Sequence, residues 1–445
     1  MAQEKETWLA KMGRTHPDFE LERVPQQRRL PFWALFAIFL GFQSILAPTM
    51  AGAGMSMGLP WSQGFWAIII GVLFIAVFIG LTAWIAYREG FNTGILLRNV
   101  FGHWGYKVPL FILAATTVVW FSLDMFMIGT VSEELIGHVG GFYAAPVFFI
   151  ALGLGAVLYG IHGPKWVAYA TIPFMVIVYI WIIVYLNNLV GGWQGLLAYE
   201  PIQPFSMAFG IQMIVGIWIA SAMCNPDFTR FTKSKVGLFA YPLSTIIMIG
   251  LAGYIGAMGW VAVQGYGLAE TVLTMSGPIL IVGLALMFLM VSNNAPETQY
   301  SYSIEFGIVW LKTKHLFVII LAPILLIVAT IIRFVTGGPD FMFAYMPFLV
   351  CIATPLVGVV YADYWLLNKG HYPEIREMTR GVNGIALACW VIGSAVNYWT
   401  SGMMEATPTL GFQYGIPGIN GAVVTFILYW ILFKAFRLKP LEQLS

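Results

Sequence analysis

The chain has 445 residues, of which 59% are hydrophobic and only 9% charged, with a formal net charge of +2. A charged fraction so far below the roughly 25% of a soluble domain excludes a soluble globular protein, and the near-neutral balance excludes a nucleic-acid-binding one. Apolar runs of about 20 residues recur to the end of the chain, each enough to cross roughly 30 Å of hydrocarbon. The class is an all-α integral membrane protein.

The first stretch, 1–30, is charged and has no apolar core or cleavage site, so it reads as a cytoplasmic tail and not a signal peptide. About twelve spans follow, at 31–58, 61–87, 107–132, 142–160, 164–187, 206–229, 236–263, 278–304, 314–337, 341–366, 381–400 and 415–437. Arg88, Arg98, Lys107, Lys165, Arg230, Lys312, Arg376, Arg380 and Lys439 fall in segments on the same side as the N-terminus. The loops on the other side, 188–205, 264–277 and 401–414, carry no Lys or Arg. The positive-inside rule then places both termini in the cytoplasm and makes the number of spans even.

Span 1 reads "FWALFAIFLGFQSILAPTMAGAGMSMGLP" and holds Gly41, Gln43, Pro48, Gly52 and Gly54. Span 6, "MAFGIQMIVGIWIASAMCNPDFTRF", holds Gly210, Gly216 and Pro226. An offset of five spans inverts direction, so the two are related by inverted topology. Paired interrupted spans in corresponding halves point to a transport site near the midplane. The halves are 31–187 and 206–366, with 381–437 as two additional helices and 438–445 as a second tail.

Span 3 carries Asp124 in "VVWFSLDMFMIG". A carboxylate at that depth costs about 2.5–3.5 kcal/mol, so it is expected to face a polar interior. Trp120 lies one turn earlier on the same face. A ring plate beside a carboxylate suits a flat ligand whose N–H groups donate to the acid, or a cation. Span 8 carries Ser292, Asn293, Asn294, Glu297, Thr298 and Gln299 within eight positions. That density exceeds what interhelical packing needs, and hydroxyl and amide oxygens are hard donors for a small cation. Trp218 on span 6 is a second candidate ring. Asp227 and Arg230 read as an ion pair or gate at the cytoplasmic end of span 6. Glu133 and Glu134 read as solvated at the outer end of span 3. The histidines show no metal-ligand spacing.

The segments "LGFQS", "GFNTGILLRNVFGHWG", "VVWFSLD", "GIWIASAMCNPDFTRF" and the polar block of span 8 together resemble the nucleobase–cation symporter-1 family, most of all its cytosine-permease branch, over about residues 30 to 435. The resemblance implies a LeuT-like fold of five plus five inverted spans with two added helices, working by alternating access with sodium or proton coupling. It implies that Trp120 stacks on the substrate, that Trp218 sits at the span-6 break, that Asp124 faces the substrate and that Gln43 lies beside the span-1 break; from the span-8 polar block itself, Asn293, Asn294 and Glu297 are read as further substrate contacts. It implies a sodium site at Gly41, Phe42 and Ser292. Span 8 departs from the family in reading "MVSNN" where two adjacent hydroxyl residues are expected, which makes a proton on Asp124 or Glu297 the substitute.

The expected function is therefore a symporter in the bacterial inner membrane that imports a nucleobase-like compound such as cytosine, with no enzymatic activity and no cofactor beyond the coupling ion. The alternative is a carrier for a small basic compound bound by Asp124 and Glu297. Its partners are a small-molecule substrate and membrane lipid.

Overall fold

The computed structural model describes residues 18–202, 204–336, 338–372, 381–400 and 418–436. The first 17 residues, the outer loop 401–414, the tail 438–445 and the basic residues Arg376, Arg380, Arg437 and Lys439 lie outside the described residues.

Among the described residues, nine helices are long and apolar enough to cross a bilayer, and a bent pair makes a tenth. The shorter helices Gly384–Thr400 and Ile419–Ala435 complete twelve. Spans 4, 5 and 9 are the least covered by protein. They present Phe148, Ile177, Trp181, Ile320 and Ile327 outward, as lipid-facing helices do. Spans 3, 6 and 10 lie at the centre.

Span 1 is cut in two, Phe32–Phe42 and Ala47–Gly58, with a 58° bend between the halves. Pro48 lies in the first turn of the second half, where its missing N–H costs nothing. Span 6 is segmented instead, into Met207–Trp218, Ser221–Cys224 and Pro226–Thr229. The residues that join its pieces, Ile219, Ala220 and Asn225, keep right-handed helical angles. Span 3 (Lys107–Ile136) and span 8 (Pro278–Trp310) run continuously beside these breaks, span 8 in spite of Pro296.

Span 7 (Ala240–Val263) packs closely on the second half of span 1. A Cβ on Gly52 would lie 2.0 Å from the Gly253 carbonyl oxygen, and one on Gly256 would lie 1.9 Å from that of Thr49. Only glycine allows backbones this near.

The loop after span 2 contains a helix, Thr93–Phe101, that periodicity alone does not reveal. Asn92 caps it by accepting from the Ile95 amide. The loops 188–205 and 264–277 also contain short helices, Gly192–Ala198 and Leu268–Leu273.

Residues 18–30 are not a free tail. They form a strap across the end of the bundle that gathers Arg29, Arg230 and Lys314. Asp18 pairs with Lys314 and accepts from the Ile161 amide. Arg230 donates to the Phe19 carbonyl at 2.7 Å, Asn92 to the Glu20 carbonyl at 2.6 Å, and Arg29 to the Tyr87 carbonyl at 2.7 Å. Leu30 bridges in parallel to Thr232. At the opposite end, Glu133 is not free in solvent as expected but pairs with Arg333 at 3.2 Å.

Candidate functional site

Spans 1, 3, 6 and 8 surround a small central cavity of about 30 Å³. Its wall includes Phe42 and Ile45 at the span-1 break, Thr117, Trp120 and Phe121 on span 3, Trp218, Ser221 and Cys224 on span 6, and Asn294, Thr298 and Ser301 on span 8. Trp120 is 8% exposed and Trp218 6%. Trp120 meets Tyr345 edge-on at 5.6 Å, and the Tyr345 hydroxyl is anchored on the Thr116 carbonyl at 2.8 Å. Trp218 meets Phe42 edge-on at 5.1 Å. Both indoles are thus held at fixed angles by neighbouring rings.

Three polar groups of span 8 face this space with defined roles. Asn294 donates its Nδ2 to the Phe42 carbonyl at 3.0 Å and accepts from the Thr298 hydroxyl at 3.0 Å. Ser301 donates to Asp227 at 3.2 Å. The Trp218 Nε1 is buried near the Tyr241 hydroxyl.

Three of the seven expected substrate residues, Trp120, Trp218 and Asn294, line the cavity; Asp124, Gln43, Asn293 and Glu297 do not. Asp124 is fully buried and turned toward span 1, where its Oδ1 accepts from the Leu46 and Ala47 amides at 3.1 and 3.3 Å. Those are the first N–H groups of the second half of span 1. The carboxylate therefore caps the positive end of a broken helix, and only Oδ2 is without a partner. Gln43 donates to Thr245 on span 7 at 2.8 Å. Asn293 accepts from Thr171 on span 5 at 2.7 Å and donates to the Leu289 carbonyl. Glu297 is fully buried against Gly41, where a Cβ would lie 3.0 Å from its Oε1.

The difference is one of rotation. Neighbouring residues on a helix point about 100° apart. Asn294, Thr298 and Ser301, spaced four and three apart, share the face on the cavity. Asn293 and Glu297 share the adjacent face, on spans 1 and 5. Thr117, Ser221, Cys224 and Ser301 are cavity residues that sequence reasoning misses. The spacing of Ser301 from Asn294 was a usable signal; the others depend on packing.

Asp227 and Arg230 do not form the expected ion pair. The Asp227 carboxylate accepts from the Thr93 amide at 3.1 Å and from Ser301, while Arg230 donates its Nε to the backbone carbonyl of Asp227.

The proposed sodium ligands can be tested as a cage. Ser292 is buried with a free hydroxyl. However, the Phe42 carbonyl is occupied by the Asn294 amide, and the Gly41 carbonyl accepts from the Ser44 amide at 2.9 Å. Each of these carbonyls thus has one of its two lone pairs engaged by an N–H donor.

Residues 23–416 match the family described as permease for cytosine/purines, uracil, thiamine, allantoin. This chain belongs to that permease family, the nucleobase–cation symporter-1 family. It is 24% identical over 412 residues to the cytosine permease of Escherichia coli K12, covering 88% of this chain and 92% of the relative. It is 22% identical over 445 residues to the hydantoin permease of Microbacterium maritypicum, covering 91% and 88%. Among solved structures, it resembles a nucleobase–cation-symport-1 transporter in a closed conformation with bromovinylhydantoin bound, with TM-score 0.75 at 19% identity over 93% of this chain and 94% of the other. A sodium-coupled sialic acid symporter matches with TM-score 0.59 at 15% identity, covering 96% of each chain. The permease is thus a multi-pass membrane transporter with a LeuT-like fold, and not an enzyme.

Proposed function

We propose that this permease imports a flat, neutral, nitrogen-bearing heterocycle such as cytosine or a related purine or pyrimidine, coupled to a cation and moved by alternating access. The observation that carries the reading is that Trp120 and Trp218, from spans 3 and 6, face one central cavity beside the two breaks. A heteroaromatic ring between them gains stacking, and the Asn294 amide and Thr298 hydroxyl offer donors and acceptors for ring nitrogens and carbonyls. At about 30 Å³ the cavity is small, so ligand entry requires the surrounding spans to separate, as alternating access demands.

The alternative, a cationic substrate held by Asp124 and Glu297, has less support. Neither acid lines the cavity, and one oxygen of Asp124 is committed to span 1. We place the protein in a bacterial inner membrane with both termini cytoplasmic. The basic residues gathered at the strap end support this orientation, and the E. coli relatives support the membrane.

The test is binding of radiolabelled cytosine to purified protein, with competition by uracil, hydantoin, allantoin and small amines. Competition by heterocycles and none by amines is the expected result. Competition by amines alone would replace this reading with the cationic one.

A further inference from the structure

Span 7 contributes no residue to the cavity wall, yet its first two turns touch both broken helices. Tyr241, the second residue of that helix, is fully buried. Its ring stacks on Phe39 of span 1, with centroids 4.1 Å apart and planes 6° from parallel. Its carbonyl accepts from the Ser244 and Thr245 hydroxyls at 2.8 and 3.0 Å. The ring is therefore fixed, and so is the place of the hydroxyl at its tip. That hydroxyl stands beside the Ser221 and Trp218 side chains of span 6 and the Gln43 side chain of span 1. One group of span 7 thus faces the joint of span 6 and the break of span 1 together.

The donors and acceptors around it are complementary. The Trp218 Nε1 can only donate. The Ser221 hydroxyl gives its proton to the Trp218 carbonyl at 2.6 Å, which leaves its oxygen free to accept. Gln43 donates its Nε2 to the Thr245 hydroxyl at 2.8 Å. Thr245 has already given its own proton to the Tyr241 carbonyl, so it can only accept from Gln43. This orients the amide and leaves Gln43 Oε1 as an acceptor. A phenolic hydroxyl can take the indole proton and give its own to Ser221 or Gln43. In this conformation Trp218 Nε1, Gln43 Oε1 and the Tyr241 hydroxyl are all buried without a direct hydrogen bond. Buried polar groups left unpaired are costly, and a small turn of the indole onto the hydroxyl satisfies two of them at once.

We propose that Tyr241 is a positioning residue: its hydroxyl draws the Trp218 indole and the Gln43 amide to the span-7 wall and so sets the angle at which Trp218 meets a ligand. This rests on the heterocycle reading above and extends it to a residue outside the cavity. The substrate does not touch Tyr241; the effect passes through Trp218. An indole held at one angle before the ligand arrives loses less freedom on binding, and stacking is correspondingly more effective.

The experiment uses full-length protein in detergent with radiolabelled cytosine as probe. Tyr241→Phe keeps the ring on Phe39 and removes only the hydroxyl. The cytosine Kd is expected to rise roughly threefold to tenfold, the effect of one lost hydrogen bond. In a Trp218→Phe background the same change is expected to move Kd by less than about twofold, because the two residues act as one unit. Equal losses in both backgrounds would show that Tyr241 acts through general packing and would overturn the inference. The second readout needs no ligand. In protein labelled with 15N-tryptophan, the Trp218 indole N–H signal is assigned by its absence in Trp218→Phe. Tyr241→Phe is expected to move that signal upfield and leave the other indole signals in place; a Trp218 signal that does not move would overturn the inference. Should Tyr241→Phe not fold, wild-type protein decides: its Trp218 indole proton is expected to show a nuclear Overhauser contact to a tyrosine ring, and the lack of one would overturn the inference. If wild-type protein binds none of cytosine, uracil, hydantoin and allantoin while the Trp218 signal moves in Tyr241→Phe, the heterocycle reading fails and the role of Tyr241 in placing Trp218 stands.

Discussion

The two broken helices solve the same problem in different ways. Span 1 is cut, bent by 58°, and its exposed amide end is held by a carboxylate from span 3. Span 6 keeps helical angles through its joints and satisfies itself locally. Ser221 donates to the Trp218 carbonyl at 2.6 Å, Asn225 to Ala222 at 3.0 Å and Thr229 to Asn225 at 2.9 Å. Positions that correspond in the two repeats therefore do not have the same mechanics. The span-1 break depends on a carboxyl group from another span. The span-6 break has its own hydroxyls and amides as partners and is also tied to the helix after span 2 and to span 8, since Thr93 donates to the Met223 carbonyl and Asp227 accepts from Thr93 and Ser301.

The largest effect expected from this contrast is at Asp124. Asp124→Leu leaves the Leu46 and Ala47 amides buried without acceptors, at about 1–3 kcal/mol each. Thermal unfolding of purified protein should show a clear drop in midpoint. Asp124→Asn keeps an acceptor oxygen in place and should lose nearer 1 kcal/mol, as weaker neutral bonds replace charge-assisted ones. Equal melting of Asp124→Leu and wild type would mean the carboxylate does not hold the break.

Next in size is the cavity wall. Trp120→Ala removes a stacking surface worth about 0.5–1.5 kcal/mol beyond area burial, so cytosine affinity should fall roughly tenfold or more. Unchanged affinity in correctly inserted protein would exclude Trp120 from the site. On span 6, Ser221→Ala removes one local hydrogen bond and should cost about 0.5–1.5 kcal/mol. A loss as large as that of Asp124→Leu would erase the distinction between the two breaks.

The smallest effect concerns the strap. Burial pushes the Glu20 carboxyl up to about 7, opposed in part by the Arg230 charge. A raised acid favours the docked, neutral form. Docking is then strongest below the ordinary value of 4.5, weakens as pH rises from 4.5 toward about 7, and is level above that. A spin label on Glu22→Cys should become more mobile across that window, and Glu20→Gln should remove the pH dependence. A label whose mobility is constant with pH would show that Glu20 does not report on docking.

The sequence was most informative where the signal lies within one helix. Low charge, the length of apolar runs and the placement of Lys and Arg determine class, number of spans and expected orientation. Pro48 and Pro226 mark both breaks because proline cannot continue a helical ladder. Trp120 was singled out because it lies one turn before Asp124 on the same helical face, and Trp218 because it lies on the interrupted span 6.

Tertiary structure alone decided what each polar side chain does. Spacing shows that Asn293 and Glu297 share a face, but not which neighbour that face meets, since this is set by the rotation of span 8 in the bundle. One residue, about 100° on a helix, separates Asn294 in the cavity from Asn293 on span 5. Asp124 was recognised as costly, yet its partners are 77 and 78 residues away on the broken span 1. Glu133 finds Arg333 across 200 residues, and Asp18 finds Lys314. A lone sequence states that a buried charge needs compensation; only the packed helices determine which group supplies it.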